Sequence, residues 1–564
     1  MQRNASRVLA LAALVALTGL PTTSPAADPL TYESVFDPQT LLRVDITIAP
    51  ADWEALSTQT RSMADALARD RHPDTAKNPF SWFKADVKVN GVAIPNVGVR
   101  KKGFIGSLDR DKPSLKVDFK RFEKGRRVAG LKQLTLNNNK QDPAAIHQFL
   151  AYKTFRDAGL PASRANHALV TVNGETLGIY SNVESMDDVF TERHFPGEPG
   201  ALYEGTITDF LDGWIEKFET KLGGGDNYAD VRKVAAALTT DDDRLLAELD
   251  QLINLKQFYR FWASEVLLSH WDGYAGNRNN FFIYRPKESG RFVFLPWGMD
   301  HIADRHPFWQ FNPPASVFAA SSLTRRLYQH PQAREQYRAA LRELVEQMWD
   351  EKELLGEVDR IEKLTGEHLP KTEAVTSAYR RVREFIAGRR EAVLAELNGP
   401  APEWSWPLTE PMSVTKVGTV SGTFKGKWGT LMGDPFAASE ATLDLQLDGQ
   451  LAAKFARIGA TAGESQQPND RGNSAVRIMA SREGSPKLQM VGLSVNPRRF
   501  KPGVLDLDMT TVSGAVLEID PSNGGFKFQG LLQGTVTFTE TGMEKDAPVA
   551  GSFEGEIVGF SGME

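Results

Sequence analysis

The chain has 564 residues, which is too many for a single hydrophobic core and predicts two or three domains. Its formal net charge of -6 is small for this length, so the composition indicates neither a nucleic-acid-binding protein nor a disordered tail. The absence of cysteine excludes a disulfide framework, a thiolate zinc site and a cysteine nucleophile.

Residues 1–27 have the pattern of a secretory signal peptide. Arg3 and Arg7 precede an apolar stretch over residues 8–20, and Ala26 supplies a small side chain at the expected cleavage site. The apolar stretch is short for a spanning helix, although an uncleaved anchor is the alternative. No later stretch is long and apolar enough to span a bilayer, so we expect a mature chain that is secreted, periplasmic or at the cell surface.

The region from about residue 41 to 184 predicts strands and one helix. KADVKVNGVAI and LVTVNGETLGIY alternate apolar and polar residues around Asn-Gly pairs at 90–91 and 173–174, a pattern typical of two-residue hairpins. Between the hairpins, a helix is predicted to open at the Asp-Pro pair 142–143 and to close at Gly159. We therefore expect a mostly antiparallel sheet that carries a single long helix.

The region from about residue 240 to 398 is predicted to be mainly helical. LDQLINLKQFYRFWASEVLLS, HPQAREQYRAALRELVEQMWD and RRVREFIAGRREAVLAELN have apolar residues at helical spacing, and NNFFIYR with RFVFLPW predicts a hairpin between the first two. We assign residues 28–400 to one domain and the proline- and tryptophan-rich residues 401–412 to a linker. Short alternating runs in residues 413–564 predict a separate all-β sandwich or barrel.

Candidate chemistry is concentrated in SHWDGYAGNRNNFFIYRPKESGRFVFLPWGMD, residues 269–300. The Asp272 carboxylate can accept a proton from a hydroxyl, the Asn277 amide oxygen can ligate a divalent metal, and Asp300 adds a second carboxylate. Phosphoryl transfer requires such a set. The spacing of His270, Asp272 and Asn277 matches a kinase catalytic loop, although this spacing arises easily by chance and its weight comes from its position between a helix and a hairpin.

Structural roles fit several of the same residues. His270 would either cap the C-terminal end of its helix or orient Asp272. Asp272 and Asn279 also fit ordinary turns that enter a hairpin. A zinc site in HIADRH, with His301, Asp304 and His306 as ligands, is the least favoured alternative.

From about residue 40 to 395, the chain resembles the CotH family of spore-coat-type secreted proteins, which are atypical protein kinases. The segments that carry the resemblance include VNGVAIPNVGVRKKGFIGS, KPSLKVDFKRF, GALYEG, HWDGYAGNRNNFFIY and FLPWGMD. The resemblance implies an α+β fold with a strand-rich N-lobe, a helical C-lobe, and a site for ATP with Mg²⁺ or Mn²⁺. It does not extend to the C-terminal β module.

The resemblance also implies roles for the residues of the motif. Asp272 would be the catalytic base that accepts the proton of a substrate Ser or Thr hydroxyl. Asn277 and Asp300 would hold metal that bridges the nucleotide phosphates.

The remaining implied roles concern the nucleotide itself. Lys116, with Lys112 as its competitor, would contact the phosphates, and Arg100 is placed to help. Glu184 would lie where the nucleotide base is held between the lobes. Without the resemblance, the two lysines are better explained as the solvated side of a strand.

One position departs from the family pattern, and it keeps two functions open. The family usually has Pro-Trp-Asp-x-Asp in the last segment, whereas this chain has Gly298 at the first Asp. We expect a secreted kinase that acts on exported proteins or a cell-surface component, not on nucleic acid. The alternative is a non-catalytic surface protein anchored by its β module. A third possibility, a metal-dependent hydrolase, is not supported by any GxSxG or HExxH motif.

Overall fold

The computed structural model describes residues 29–224, 226–304, 312–437, 439–451, 454–466, 472–508 and 511–561. The expected signal peptide lies outside the described residues. Within these ranges, no helix combines the length and the apolar character that crossing a membrane requires. The fold is mixed α+β: a strand-rich lobe, a helical lobe, and then an all-β module, as the sequence predicted.

The strand-rich lobe is a closed barrel, whereas the sequence indicated only a sheet. Its strands follow the order β1-β2-β3-β4-β5-β7-β6, and the barrel closes through a parallel pairing of β6 with β1. Alternate apolar side chains such as Val44, Val87 and Val117 fill its interior. The strands are β1 Leu42–Ile48, β2 Phe83–Val89, β3 Val92–Lys102, β4 Ser114–Asp118, β5 Gln133–Asn137, β6 Ala165–Val172 and β7 Glu175–Val183.

Both predicted Asn-Gly hairpins are confirmed. β2 pairs with β3 and β6 pairs with β7, and the turn residues Asn90 and Asn173 have φ of 46° and 52°. Each asparagine side chain also accepts a hydrogen bond from a backbone N–H of β1, from Arg43 and Ile48 respectively, at 2.9 Å. Each turn is therefore also hydrogen-bonded to a third strand of the barrel, β1.

The barrel lobe carries more helices than the single one predicted. The predicted helix begins at His147 rather than at Pro143, because residues 142–146 form turns in which the Asp142 carboxylate accepts from the His147 N–H at 2.6 Å. The helices of this lobe are α1 Tyr32–Val35, α2 Pro50–Thr58, α3 Met63–Leu67, α4 His147–Asp157 and α5 Asp188–His194.

The helical lobe contains a small sheet with the order β11-β10-β8-β9, and its β10–β11 hairpin is the one predicted. Its strands are β8 Gly200–Gly205, β9 Glu219–Leu222, β10 Phe281–Pro286 and β11 Val293–Pro296. The long predicted helix is broken, because the Asn254 side chain accepts from the Gln257 N–H at 3.2 Å and starts a new helix. The helices are α6 Ala229–Ala237, α7 Asp242–Leu252, α8 Leu255–Leu267, α9 Tyr274–Asn277, α10 Ser322–Gln329, α11 Pro331–Gln347, α12 Glu351–Thr365 and α13 Glu373–Leu397.

The C-terminal module is all-β, as predicted, and its strands form one large sheet around an apolar interior. Residues 398–412, between α13 and this sheet, contain neither helix nor strand. The strands are β12 Ser413–Lys427, β13 Glu440–Leu447, β14 Gln450–Leu451, β15 Phe455–Glu464, β16 Ser474–Arg482, β17 Leu488–Val495, β18 Gly503–Leu507, β19 Val512–Asp520, β20 Gly525–Thr541 and β21 Pro548–Ser561.

Candidate active site between the lobes

The loop after α8 is held by a carboxylate of that helix. The two oxygens of buried Glu265 accept from the backbone N–H groups of Tyr274 and Ala275, each at 2.8 Å. A Cβ at Gly273 would lie 2.3 Å from Glu265 Oε1, so only glycine allows this approach. Burial raises the pKa of Glu265 to about 8, against the opposing effect of the two N–H donors.

Three asparagine amides hold the Asp272 carboxylate. Asn277 and Asn279 donate to Oδ1 at 2.6 and 3.2 Å, and Asn280 donates to Oδ2 at 2.7 Å. An ionised carboxylate has about four acceptor positions, so about one is left for another donor such as a substrate hydroxyl. Because the Asn277 Nδ2 is used in this way, its Oδ1 is the atom that could ligate a metal.

The backbone of this loop is strained. Arg278 and Asn280 have φ of 55° and 53°, in the left-handed region that side chains other than glycine rarely adopt. The cost is roughly 1–2 kcal/mol at Arg278 and smaller at Asn280, because asparagine tolerates this conformation better than other side chains. Strain of this kind concentrates at functional sites, where surrounding contacts impose it.

Asp300 connects this loop to the barrel lobe. Its Oδ1 accepts from Gln148 Nε2 of α4 at 2.6 Å, and its backbone oxygen lies 2.6 Å from His147 Nδ1. Burial raises the pKa of Asp300; the nearby charge of Lys102 opposes that rise and the charge of Asp272 adds to it. The two predicted carboxylates are therefore close enough to influence each other.

Lys102 was not among the residues predicted from the sequence. It is the lysine whose charge acts on the pKa of Asp300. Its Nζ donates to Asn137 Oδ1, and Asn137 Nδ2 donates to Gln148 Oε1 at 2.7 Å. Burial lowers the pKa of Lys102, while Asp300 is the charge that most opposes this shift. A polar chain thus runs from Lys102 through Asn137 and Gln148 to Asp300.

Arg100 and Lys116 lie opposite each other on neighbouring strands of the same barrel wall. Burial, together with the charges of Arg100, Lys221 and Lys102, lowers the pKa of Lys116 to about 8. Lys116 is half-buried, so it does not lie on a fully solvated strand face. Across from this wall, Lys221 Nζ of β9 lies 2.7 Å from Glu204 Oε2 of β8.

Lys112 is not brought into this group. It precedes β4, its Nζ donates to the Ile179 backbone oxygen at 2.8 Å, and it lies 5.1 Å from the centre of the Tyr180 ring. Burial lowers its pKa to about 8. The structure thus gives Lys112 a backbone partner away from Lys116, and its role as a competitor for the phosphates stays a prediction.

Glu184 is also placed elsewhere. Its side chain is 1% exposed, and its carboxylate accepts from Tyr32 Oη at 2.6 Å, from the Arg164 N–H at 3.1 Å and from the Arg193 guanidinium. These donors occupy both oxygens. The carboxylate is thus engaged by neighbouring side chains and backbone, and a place for Glu184 beside the nucleotide base stays a prediction.

Gly298 has a φ of +57°, and a Cβ there would lie 2.2 Å from Asn280 Oδ1. The family's first Asp therefore does not fit while Asn280 keeps its position.

His270 is buried, which lowers its pKa to about 4, so it is neutral and does not cap its helix as a cation. Its Nδ1 donates to the His301 backbone oxygen at 2.8 Å.

The donor chemistry fits magnesium and phosphate better than zinc. Among the described residues, no three His, Asp or Glu side chains gather into a metal-binding group, and His306 of the zinc alternative lies outside them. A carboxylate oxygen of Asp300 and an amide oxygen of Asn277 are the hard ligands that Mg²⁺ prefers. The neighbouring half-buried side chains of Arg100, Lys102 and Lys116 are suited to phosphate groups.

The barrel lobe and the helical lobe meet at the cluster that contains Lys102, Asp272 and Asp300. This arrangement is that of a kinase-like protein. The family model described as CotH kinase protein matches residues 99–393, more than half of the chain, and the chain belongs to this family. The model ends before the β module.

Several relatives share this region. Inner spore coat protein H of Bacillus subtilis is 22% identical over 40% of this chain, and Invasin CotH3 of Rhizopus delemar is 25% identical over 29%. The matched stretches span 66% and 30% of those two proteins. Among solved structures, the Helicobacter pylori proinflammatory kinase CtkA aligns over 54% of this chain and 95% of its own, with 14% identity and a TM-score of 0.29. The HipA chain of a Shewanella oneidensis toxin–antitoxin complex aligns over 53% and 66%, with 14% identity and a TM-score of 0.28.

Proposed function

We propose that this protein is an ATP- and divalent-metal-dependent protein kinase that transfers the γ-phosphate to Ser or Thr hydroxyls of exported or surface proteins. The observation that carries the proposal is the polar chain from Lys102 to Asp300, beside Asp272. It joins a lysine of the barrel lobe to one carboxylate of the helical lobe, and the charge of Asp272 acts on that carboxylate.

The residues divide the work of phosphoryl transfer. Asp272 accepts the proton of the attacking hydroxyl through the acceptor position that the three amides leave open. Asn277 and Asp300 would hold Mg²⁺ or Mn²⁺, which supplies charge neutralisation when bound. Lys102, Lys116 and Arg100 would bind the phosphates and stabilise negative charge there.

A location outside the cytoplasm is part of the proposal. The N-terminal 27 residues have the composition of a signal peptide, and the relatives are named for a spore coat and an invasin. Both names refer to proteins at a surface. The substrate would accordingly be another exported protein or a cell-surface component.

Gly298 favours one alternative, a kinase-like surface protein without catalysis, because it removes a carboxylate usual in the family. Incubation of residues 28–564 with γ-labelled ATP, Mg²⁺ or Mn²⁺ and acceptor proteins separates the two. We expect labelled Ser or Thr with the wild type, loss of labelling with Asp272→Asn, and normal labelling with Asp250→Asn, which alters an exposed residue. ATP binding by the wild type without transfer would favour the non-catalytic alternative.

A further inference from the structure

Arg278 lies in the candidate catalytic loop but is bound by a distant part of the chain. Arg278 stands between Asn277 and Asn279 in the sequence and is 6% exposed. The Nη1 donates to the Thr409 backbone oxygen at 2.5 Å, and Nη2 lies 3.4 Å from Thr409 Oγ1. A buried guanidinium needs acceptors, and here the segment between the helical lobe and the β module supplies one.

That segment, residues 401–412, is packed rather than free. Trp404 is buried with its ring 6.3 Å from that of Phe318, and Tyr328 Oη donates to the Pro402 oxygen at 2.7 Å. Arg325 of α10 donates to the Trp406 oxygen. The path of the segment across the helical lobe is therefore fixed before it reaches Arg278.

The β module is linked to the same loop by a second, indirect route through Ile207. Val414 of β12 and Val558 of β21 belong to an apolar cluster that also buries Ile207. The Ile207 N–H donates to Asn279 Oδ1 at 3.2 Å, and Asn279 Nδ2 donates to Asp272 Oδ1 at 3.2 Å. The shared apolar cluster and the Ile207 N–H thus link the β module to an amide that holds Asp272.

We propose that residues 401–412 and the β module hold the catalytic loop in position, with Arg278 and Ile207 as the positioning residues. The loop needs such support because its backbone is strained at Arg278 and Asn280. The effect on phosphate transfer rests on the function proposed above. The effect on the loop itself does not, so the two can be tested separately.

Hydrogen exchange of the full chain, followed by mass spectrometry, tests the proposal without requiring catalysis. Arg278→Lys keeps the charge but shortens the side chain, and Val414→Ala weakens the apolar cluster from the β module. We expect each to speed exchange of residues 272–280 by about tenfold. Arg126→Lys is the matched control: this arginine also donates to backbone oxygens, those of Phe119 at 2.7 Å and Asn96 at 2.9 Å, but these lie in the barrel lobe and not in the segment or the loop.

Unchanged exchange of residues 272–280 in both test variants would overturn the proposal, as would an equal effect of Arg126→Lys. If Arg278→Lys fails to fold, Val414→Ala decides. In transfer assays, both test variants should lower kcat by about tenfold with little change in KM for ATP. A wild type that neither binds ATP nor transfers phosphate would contradict the proposed function. The hydrogen-exchange result would still test whether residues 401–412 and the β module hold the loop in position.

Discussion

Asn280 occupies the space that a side chain at position 298 would need. A Cβ on Gly298 would lie 2.2 Å from Asn280 Oδ1, and the same amide group donates to Asp272 Oδ2 at 2.7 Å. The glycine is therefore more than a missing metal ligand, because it leaves room for one of the three amides that hold Asp272.

We expect Gly298→Ala to lower the free energy of unfolding by about 2–4 kcal/mol, because a left-handed backbone and a steric clash add together. The matched control is Gly174→Ala, at a φ of +86° with no other atom within 4 Å of the added Cβ. It should show the backbone cost alone. Urea unfolding measures both variants, and equal losses would contradict the close packing of Gly298 and Asn280.

The lysines make distinct predictions for ATP binding. Lys102→Met and Lys116→Met should each weaken binding by about tenfold or more, because each removes a half-buried cation next to the proposed phosphate site. Lys112→Met should leave the affinity almost unchanged, because that ammonium contacts the Ile179 oxygen instead. Isothermal titration calorimetry measures all three. A loss of affinity confined to Lys112→Met would reverse the assignment.

Glu184→Gln should destabilise the protein without weakening ATP binding. The substitution leaves the Arg193 guanidinium and the Tyr32 hydroxyl without their charged acceptor, at a cost of about 2–4 kcal/mol. Glu391→Gln, at an exposed position, is the control. If Glu184→Gln reduced ATP affinity with normal stability, the base-binding role would be supported.

ATP–metal binding should depend on pH in both directions. Burial raises the pKa of Asp300, so metal must displace its proton and affinity should rise with pH through that pKa. The pKa of Lys116 is lowered to about 8, and a phosphate group favours its charged form, so affinity should fall again above about pH 8. Calorimetry from pH 5 to pH 9.5 measures this profile, and Lys116→Met should lose much of the alkaline decline. A flat profile in the wild type would count against both assignments.

Features set by neighbouring residues were predictable from the sequence. The hairpins at Asn90 and Asn173 and the loop with Asp272 and Asn277 depend on local turn and spacing signals, and the structure contains them. The alternation along β3 could have paired Lys102 with Arg100 on one face, since residues two apart in a strand share a side. Nothing local marks Gln148 as the partner of Asp300, or Tyr32 as a donor to Glu184, because those contacts join segments far apart in the chain.

Thermal unfolding of residues 28–564 with and without ATP plus Mg²⁺ or Mn²⁺, beside Asp300→Asn, tests the nucleotide site most directly. A ligand at about a hundred times its dissociation constant stabilises a protein by about 2.7 kcal/mol. We predict a rise in Tm that requires both ATP and metal and is lost in Asp300→Asn. No rise at millimolar ATP with either metal, or an equal rise in the variant, would contradict a metal–nucleotide site at Asp300.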